Sequence, residues 1–595
     1  MKELDYPFNP EEILKNKKSI KRQLLVKNTN FSKKNIAILG GVMTNDIKSV
    51  LELFLLNNGI KPNFYESQYN RFFEDGMFEN EELKEFKPDI IYLCTSIRNI
   101  VDFPDISDDK AIIEQKLDGC YEKFEKIWLN LSEKYHCPII QNNFEYPYFR
   151  LLGNKDASDI HGYVNFVTRL NLKFYDYAQA NDNFYICDIN YISSSYGLEK
   201  WSEPYYWHLY KYAVSVPAIP YLSFNVANII KSIFGKNKKI LNLDLDNTIW
   251  GGIVADDGVE NIETGNGTPL GETYFEFQKY LKKLKDLGVV LSINSKNEEK
   301  DALAGLDRPD CALKKDDFVS IKANWNPKNQ NLSETATELN LLPESFVFVD
   351  DNPAEREIIS MQFPEVSTPD MDKPENYLKI LDKSGFFEVT SFSQDDANRT
   401  KMYNENKKRL DFQADFVNYE DYLKSLEMKC EIKNFEPMYM SRIAQMINKT
   451  NQFNLTTKRY TQAEIENIAN DNEYVTLYAK LCDKFGDNGV ISAIIGNIGE
   501  DRNELHINLW LMSCRVIKRN VEFAMMDELV EKAVSENIKT IYGYYFPTAK
   551  NSMVKDFYRL LGFEKYREDD SGNTVWKFDI PKNYQNLNKV IEVVD

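Results

Sequence analysis

The chain has 595 residues, of which 43% are hydrophobic and 28% are charged, and its formal net charge is −19. This length predicts three or four domains at about 100–200 residues each, and the apolar content excludes a disordered chain. The negative charge argues against general nucleic-acid binding, which needs a basic surface. No run of about 18 apolar residues occurs, so we expect no membrane span. The N-terminal segment lacks the apolar core of a signal peptide, so we expect a cytoplasmic protein.

The first part of the chain alternates strand-like and helix-like segments. Four buried strands are predicted at NIAILGGV (35–42), PDIIYLCTS (88–96), CPIIQNNF (137–144) and NFYICDIN (183–190). Helical patterns lie between them, such as TNDIKSVLELFLLNNG (44–59). This alternation predicts a parallel sheet with helices on both faces, and hence an α/β domain over residues 1–235.

A second α/β domain is predicted over 236–390, from KILNLDLDNTIWGG (239–252) to SFVFVDDNPAERE (345–357). Its segment 272–287 is amphipathic, with Tyr274, Phe277, Leu281 and Leu284 on one face. Residues 391–415 are polar and are predicted to form a helical linker. Consecutive strands without intervening helices then favour an α+β domain with an antiparallel portion over 416–582, and 583–595 are assigned to a tail.

The strongest chemical signal is a pair of acids at the end of the first strand of the second domain. Asp244 and Asp246 alternate along the chain, so they would lie on one side if the strand continued. The carboxyl edge of an α/β sheet is where ligands bind. Two neighbouring carboxylates repel unless a cation neutralises them, and Mg²⁺ prefers such oxygen ligands.

A second acidic pair, Asp350 and Asp351, ends another apolar strand, and Ser295 and Lys328 lie between the two pairs. Together with Mg²⁺, a carboxylate, a hydroxyl and an ammonium group can neutralise a phosphoryl group and its transition state. The alternative is that these are ordinary turn residues at strand ends, where Asp and Asn are common. The order of all four elements favours the phosphoryl site.

DLDNT resembles the first motif, D-x-D-x-T/V, of haloacid dehalogenase-type phosphotransferases. Ser295, Lys328 and Asp350/Asp351 are similar to the second, third and fourth motifs. The resemblance implies that Asp244 is a nucleophile, and that Asp246 is a general acid/base that also offers its backbone carbonyl to Mg²⁺.

The same resemblance implies that Ser295 and Lys328 hold phosphoryl oxygens, while Asp350 or Asp351 completes a metal site with Asp244 and Asp246. Substrate contacts are assigned to Thr248, Asn297 and Asn352. The spacing between these motifs is too short for a full cap domain. Another domain or a partner must therefore exclude water from the site.

Longer segments resemble the FkbH-like branch of this superfamily. They are DLDNTIWGGIVADDG, GETYFEFQKYLKKL, SKNEE, NWNPK and FVDDNPAERE, followed by NKTNQFNLTTKRY (448–460), KFGDNGVIS (484–492), LMSCRV (511–516) and PTAKNSMVKDFYRLLGF (547–563). The resemblance implies a flavodoxin- or SGNH-like α/β domain, a haloacid dehalogenase-like domain without a large cap, and a GNAT-like α+β domain. It also implies Mg²⁺ and transfer of a glyceryl group from 1,3-bisphosphoglycerate to the phosphopantetheine thiol of an acyl carrier protein, for polyketide or surface-glycan synthesis.

Three features depart from that family pattern. Asn294 stands where a cysteine often precedes the serine of the second motif. Cys514, beside Arg515, Lys518 and Arg519, is another candidate acyl carrier, because nearby cations favour a reactive thiolate; the alternative is a small core residue. RVIKRN (515–520) also has side chains where the GNAT pyrophosphate loop has glycines, so we expect a pantetheine arm or carrier protein to bind Arg515, Lys518 and Arg519 instead of acetyl-CoA.

The third departure lies in the first domain, where LGGVMTND (39–46) lacks the serine nucleophile of SGNH hydrolases. Asn99 and His208 stand at positions that loosely match that family, but because the nucleophile is missing we expect a non-hydrolytic docking platform or lid. The leading hypothesis is an Mg²⁺-dependent enzyme that releases phosphate from an acyl phosphate and passes the glyceryl group to a carrier. The alternatives are a phosphatase for a sugar or polyol phosphate and a non-catalytic scaffold that binds carrier proteins.

Overall fold

The computed structural model describes residues 1–28, 31–548 and 550–594. One compact unit consists of Met1–Lys236, Glu388–Thr390 and Thr461–Ala463, and the other of Asn237–Phe387, Ser391–Tyr460 and Glu464–Asp595. The second and third predicted domains therefore share one unit, and the boundary between them stays a prediction. Within the described ranges, no helix is both long and apolar enough to cross a bilayer.

The first unit is built on a five-stranded parallel sheet with the order β2-β1-β3-β4-β5. Its strands are β1 (Ser32–Gly40), β2 (Ile60–Glu66), β3 (Ile90–Cys94), β4 (Ile139–Asn142) and β5 (Phe184–Cys187). Its helices are α1 (Pro10–Lys27), α2 (Asn45–Asn57), α3 (Phe72–Met77), α4 (Glu81–Phe86), α5 (Lys110–Tyr135), α6 (Tyr163–Ala180), α7 (Ile189–Tyr196), α8 (Leu198–Trp201), α9 (Pro204–Tyr210) and α10 (Ile219–Ile233). This strand order is the flavodoxin-like one, and the predicted parallel α/β architecture is confirmed.

The second unit begins with a four-stranded parallel sheet of order β8-β7-β6-β9. Its strands are β6 (Ile240–Leu243), β7 (Val290–Ser295), β8 (Ser320–Ala323) and β9 (Phe346–Val349). Its helices are α11 (Val254–Asp257), α12 (Pro269–Asp286), α13 (Glu299–Asp307), α14 (Lys328–Glu338), α15 (Pro353–Gln362) and α16 (Pro374–Lys383). Because these strands are parallel, the residues that follow β6, β7 and β9 meet at one edge.

The predicted amphipathic helix of this sheet is α12. Pro269 occupies its first turn, where the fixed backbone angle of proline suits a helix start. The Thr268 hydroxyl caps the helix by accepting a hydrogen bond from Gly271 N. The predicted face, Tyr274, Phe277, Leu281 and Leu284, is buried against the sheet. The segment 391–415, predicted as a helical linker, contains α17 (Gln394–Ala397) and α18 (Arg399–Gln413), and its role as a linker stays a prediction.

The C-terminal part of the chain forms an eight-stranded mixed sheet of order β15-β16-β14-β13-β12-β11-β10-β17. Its strands are β10 (Met428–Lys433), β11 (Tyr474–Asp483), β12 (Gly486–Ile498), β13 (Glu504–Met512), β14 (Thr540–Tyr545), β15 (Glu564–Glu568), β16 (Thr574–Asp579) and β17 (Ile591–Val594). The helices are α19 (Tyr419–Ser425), α20 (Met440–Lys449), α21 (Gln462–Ala469), α22 (Val521–Ser535) and α23 (Phe557–Leu560). Only the pairs β13–β14 and β10–β17 are parallel among the strands described, so the sheet is largely antiparallel as predicted.

The assignment of 583–595 to a tail is wrong. Strand β17 extends the sheet by pairing with β10, from Met428 opposite Ile591 onward. The buried Asp527 carboxylate anchors the preceding segment by accepting hydrogen bonds from Leu587 N and Asn588 N, each at 2.9 Å. Asp595 lies outside the described residues.

Candidate active site

Asp244 lies at the carboxyl edge of the four-stranded sheet, directly after β6. Its backbone N–H donates to Val349 O at 2.9 Å, which continues the pairing with β9 for one residue. The Ser295 hydroxyl, at the end of β7, donates to Asp244 Oδ1 at 2.6 Å. Both side chains are nearly inaccessible to solvent, at 6% and 1% exposure, so the carboxylate is held in a low-dielectric setting.

Lys328, the first residue of α14, lies between two of the predicted acids. Its Nζ is 2.9 Å from Asp244 Oδ2 and 2.6 Å from Asp350 Oδ2. Burial alone would lower the pKa of Lys328, but the Asp244 and Asp350 carboxylates outweigh burial and hold that pKa above its usual value. Lys328 is therefore a fixed positive charge at the centre of the site.

Three carboxylates converge here. Asp244, Asp350 and Asp351 each offer an oxygen, and these oxygens all lie within 4.8 Å of one another. Burial, and then the charge of Asp244, raise the pKa of Asp350 to about 6 and raise the pKa of Asp351. Three carboxylates with one ammonium group leave an excess of negative charge, and hard oxygen donors suit a divalent cation such as Mg²⁺. The residues present therefore fit the predicted metal.

The Asp246 carboxylate has a different environment from the other three. Its Oδ1 accepts hydrogen bonds from Trp250 Nε1 at 2.9 Å and Val254 N at 3.1 Å, and its Oδ2 accepts from Asn297 Nδ2 at 2.9 Å. Burial raises its pKa, and these hydrogen bonds oppose that rise. Its carboxylate is not one of the three that converge, so a metal contact through its backbone carbonyl stays a prediction.

The three residues assigned to substrate binding are placed unequally. Asn297 is fully buried, and its Nδ2 also donates to Ser295 Oγ at 3.2 Å, so it borders the reacting groups. The buried Thr248 hydroxyl accepts from Asp351 N at 3.2 Å and holds that loop. Asn352 is exposed and caps α15 by accepting from Ala354 N. Only Asn297 therefore has its side chain among the site's hydrogen-bonding groups.

Two contributors to the site escaped the sequence prediction. Trp250 is fully buried and orients Asp246. Asn247 has a φ of 53°, a left-handed conformation that asparagine tolerates, and its carbonyl accepts hydrogen bonds from Tyr274 and Tyr377, each at 3.1 Å. The asparagine that follows the second aspartate in D-x-D-N-T could have indicated this turn from the sequence.

In the C-terminal sheet, Cys514 is half-buried in a turn that follows β13, and Lys518 is exposed with a φ of 69°. Arg519 does not form the surface cation that the sequence predicts. It is 7% exposed and donates to Asn406 Oδ1 at 2.6 Å and to Asp483 Oδ2 at 3.3 Å. Its guanidinium is committed to internal partners, because a buried charge must be paired. Arg515 is also partly engaged, through Ser513 Oγ.

The space between β13 and β14 is filled by the chain itself. The two strands pair only over Glu504–Ile507 and Thr540–Gly543. Beyond that point, the buried segment 453–455 lies between them: Leu455 N donates to Trp510 O, Met512 N donates to Phe453 O, and Phe546 N donates to Leu455 O.

Cys514 and Asp244 lie at opposite edges of the four-stranded sheet. Asn340 Nδ2, between α14 and β9, donates to Cys514 O at 3.2 Å, and Lys550 Nζ pairs with Glu344 Oε1 at 2.7 Å just before β9. These contacts are at the amino ends of the strands, whereas Asp244 follows a carboxyl end.

In the first unit, Asn99 is buried and His208 is exposed on α9. Asn99 Nδ2 donates to Gly41 O at 2.8 Å, and a Cβ on Gly41 would meet this amide at 2.5 Å. Asn99 Oδ1 accepts from Ser96 N at 3.0 Å. The Asn99 amide is thus bonded inside the protein, and the non-hydrolytic character of this domain stays a prediction.

Comparisons with known proteins bear on both units. Residues 35–231 match the family model described as FkbH, N-terminal domain. The N-terminal part of the protein BF1531 from Bacteroides fragilis, which contains a phosphatase domain and was solved complexed with Mg, is 29% identical with a TM-score of 0.58; the match covers 63% of this chain and 99% of that chain. No curated protein matched the chain.

Solved acetyltransferases also match the C-terminal part at low TM-scores. The GNAT domain of S. lividans PAT is 16% identical with a TM-score of 0.21, covering 25% of this chain and 89% of that chain. Ard1 from Thermoplasma volcanium is 21% identical with a TM-score of 0.20, covering 26% and 99%. The N-terminal family model and the phosphatase-domain structure together confirm that this chain resembles the FkbH-like family.

Proposed function

We propose that this protein is a Mg²⁺-dependent cytoplasmic enzyme of the haloacid dehalogenase type, which releases phosphate from an acyl phosphate such as 1,3-bisphosphoglycerate. It would transfer the glyceryl group to the thiol of a carrier protein. The observation that carries the proposal is the Lys328 ammonium group, which lies between the buried Asp244 and Asp350 carboxylates. The Ser295 hydroxyl donates a hydrogen bond to the same Asp244 carboxylate. The similarity to a phosphatase domain that was solved with Mg supports the metal.

Asp244, Asp350 and Asp351 would hold the ion, which when bound supplies positive charge to neutralise phosphoryl oxygens. The Ser295 hydroxyl and the Lys328 ammonium group would donate to the same oxygens. Both are pre-positioned by their contacts with Asp244, so little reorganisation accompanies substrate binding.

Asp246 is the group best placed to move a proton. Its carboxylate is oriented by Trp250 and Asn297, and burial keeps its pKa above the ordinary value. A raised carboxyl pKa improves proton transfer near neutral pH, because the group can exist in both protonation states.

The fate of the acyl group depends on which bond breaks. If Asp244 attacks phosphorus, the P–O bond breaks, an aspartyl-phosphate forms and the acyl group leaves as a free carboxylate. If a thiolate attacks the acyl carbon, the C–O bond breaks, phosphate leaves with the bridging oxygen, and the thioester formed from 1,3-bisphosphoglycerate still carries the 3-phosphate. Only this route conserves the acyl group, and Asp244 would hold the first phosphate as a leaving group. A glyceryl thioester would then require a second step, in which the 3-phosphate ester is hydrolysed at phosphorus and water supplies the new oxygen.

The Cys514 turn contacts the amino-end side of the four-stranded sheet, through Asn340, whereas Asp244 follows a carboxyl end, and this arrangement supports a mobile carrier arm. A direct transfer between these two residues would have to cross the sheet. A phosphopantetheine thiol on a partner protein could instead reach the open carboxyl edge.

Intact-mass spectrometry tests the proposal directly. The protein is incubated with Mg²⁺, freshly generated 1,3-bisphosphoglycerate and a holo acyl carrier protein. A glyceryl-sized gain on the carrier is expected, and it should disappear with Asp244→Asn but persist with the exposed control Lys296→Met. Phosphate release without any gain on protein contradicts acyl transfer, and no Mg²⁺-dependent release from any phosphate would favour a carrier-binding scaffold.

A second candidate is a phosphatase that acts on a sugar or polyol phosphate. Asn294 favours it, since this position has no thiol to carry an acyl group. A panel of sugar and polyol phosphates, with phosphate release as the readout and Asp244→Asn as control, separates it from the first proposal.

A further inference from the structure

A chain of buried polar side chains runs beneath the candidate active site. Asn242 Nδ2 donates to Ser292 Oγ at 2.8 Å, and Asn294 Nδ2 donates to Asn242 Oδ1 at 3.0 Å. Asn331 Nδ2 then donates to Asn294 Oδ1 at 3.1 Å and to Asn324 Oδ1 at 3.0 Å. Asn242, Ser292, Asn294 and Asn331 are each 0% exposed.

This series of hydrogen-bonded side chains ends at Lys328, the residue that supplies the site's positive charge. Asn294 Nδ2 also donates to the backbone carbonyl of Lys328 at 2.8 Å. Lys328 begins α14, and Asn331 is in the first turn of the same helix. Both polar ends of the Asn294 amide are thus bonded to this helix turn, one to its backbone and one to a side chain.

Such a network is an unusual use of strand-core positions. Burying an amide costs free energy unless all its groups are bonded, and apolar side chains fill buried strands without that requirement. The simplest alternative is that the amides only fix the packing of α14 on β6 and β7. The amide of Asn294 also has a second effect, because its hydrogen bond to Lys328 O fixes the position of the Lys328 backbone. The lysine side chain reaches Asp244 and Asp350 from that fixed backbone position.

We propose that Asn294 is a positioning residue for Lys328. The inference rests on the proposed function, and it specifies how the phosphoryl-binding lysine is oriented. Displacing a catalytic group by about 1 Å can reduce rates by about 100-fold, so a hydrogen bond that fixes its backbone has a kinetic consequence.

The test compares Asn294→Ala with Asn331→Ala, each of which deletes one buried amide of the same chain. Both variants should melt earlier by similar amounts. Only Asn294→Ala should weaken Mg²⁺-dependent binding of inorganic phosphate, measured by calorimetry, and lower phosphate release, each by roughly 10–100-fold as for other residues that orient a site from behind. Equal losses in the two variants would overturn the proposal in favour of a purely structural role.

A double-mutant cycle makes the coupling explicit. In a Lys328→Met background, Asn294→Ala should change phosphate binding less than twofold, because its effect runs through the lysine; an undiminished effect overturns the inference. A crystal structure of Asn294→Ala should show Lys328 Nζ withdrawn from Asp244 and Asp350. Nζ retained between them overturns the inference whether or not the protein has phosphatase activity.

Discussion

The Lys328→Met variant should bind Mg²⁺ more tightly than the parent protein while losing turnover. Lys328 supplies the ammonium group at 2.9 Å from Asp244 and 2.6 Å from Asp350. Without it, the three converging carboxylates lose the ammonium group that lies between Asp244 and Asp350. A bound cation would then meet stronger attraction and no competing ammonium group.

The magnitude follows from the geometry. At an effective dielectric constant of about 20, each of these contacts gives roughly 6 kcal/mol of gross Coulomb attraction. Desolvation offsets much of it, and removing one partner of a buried pair destabilises a protein by about 3–5 kcal/mol. We therefore expect a clear drop in melting temperature in EDTA, and a gain in Mg²⁺ affinity of about tenfold or more.

Calorimetric titration with Mg²⁺ and melting curves with and without EDTA measure both effects. Saturating Mg²⁺ should raise the melting temperature of Lys328→Met more than that of the parent protein. Lys296→Met is the matched control, because Lys296 also forms a 2.6 Å ion pair, with Glu355, but is 44% exposed; such pairs contribute about 0–1 kcal/mol. Weaker Mg²⁺ binding by Lys328→Met would refute the reasoning.

Three other residues give independent predictions. Burial raises the pKa of Glu145 from 4.5 to about 7, so the folded protein holds this proton more tightly than the unfolded chain, and that stability is lost as pH rises through about 7; Glu145→Gln should raise the melting temperature at pH 8 but not at pH 5. Trp250→Phe removes a hydrogen bond that lowers the pKa of Asp246, so the acidic limb of the pH–rate profile for phosphate release should move to higher pH. Arg409 is 2% exposed and pairs with the fully buried Asp483 at 2.7 Å, so Arg409→Ala should destabilise by about 3–5 kcal/mol, and unchanged denaturation would contradict this.

The acidic site was predictable because its signals are local. An apolar strand that ends in Asp244 or Asp350 marks a sheet edge within a few residues, and parallel strands bring such edges together. The sequence could also have indicated the buried amide chain, since Asn242 and Asn294 interrupt otherwise apolar strands. An asparagine inside a buried strand requires hydrogen-bond partners. The two asparagines therefore indicated a buried polar network that the sequence analysis did not predict.

Features that depend on distant partners were not predictable from the sequence. RVIKRN resembles an exposed basic run, but Arg519 is buried because Asp483, far along the chain, neutralises it. The last strand, Ile591–Val594, is only four residues long, and its pairing with β10 gives it a place in the sheet. Such outcomes are decided by tertiary contacts that override local pattern.

The oxygen balance of phosphate release distinguishes the two chemical routes at Asp244. If Asp244 attacks phosphorus, water must later hydrolyse the aspartyl-phosphate, so the released phosphate contains one solvent oxygen. If a carrier thiol attacks the acyl carbon, phosphate leaves with its own bridging oxygen and gains none. In H₂¹⁸O with 1,3-bisphosphoglycerate and holo carrier protein, we therefore expect one unlabelled phosphate for each thioester formed, and a second, labelled phosphate for each thioester whose 3-phosphate ester has also been hydrolysed to give the glyceryl form. Labelled phosphate is expected when the carrier is replaced by its apo form. Thioester that forms without any unlabelled phosphate would contradict the leaving-group role of Asp244, because the C–O route releases the acyl phosphate with its own bridging oxygen. The Asp244→Asn variant controls for non-enzymatic hydrolysis of the acyl phosphate, which also proceeds without the chain.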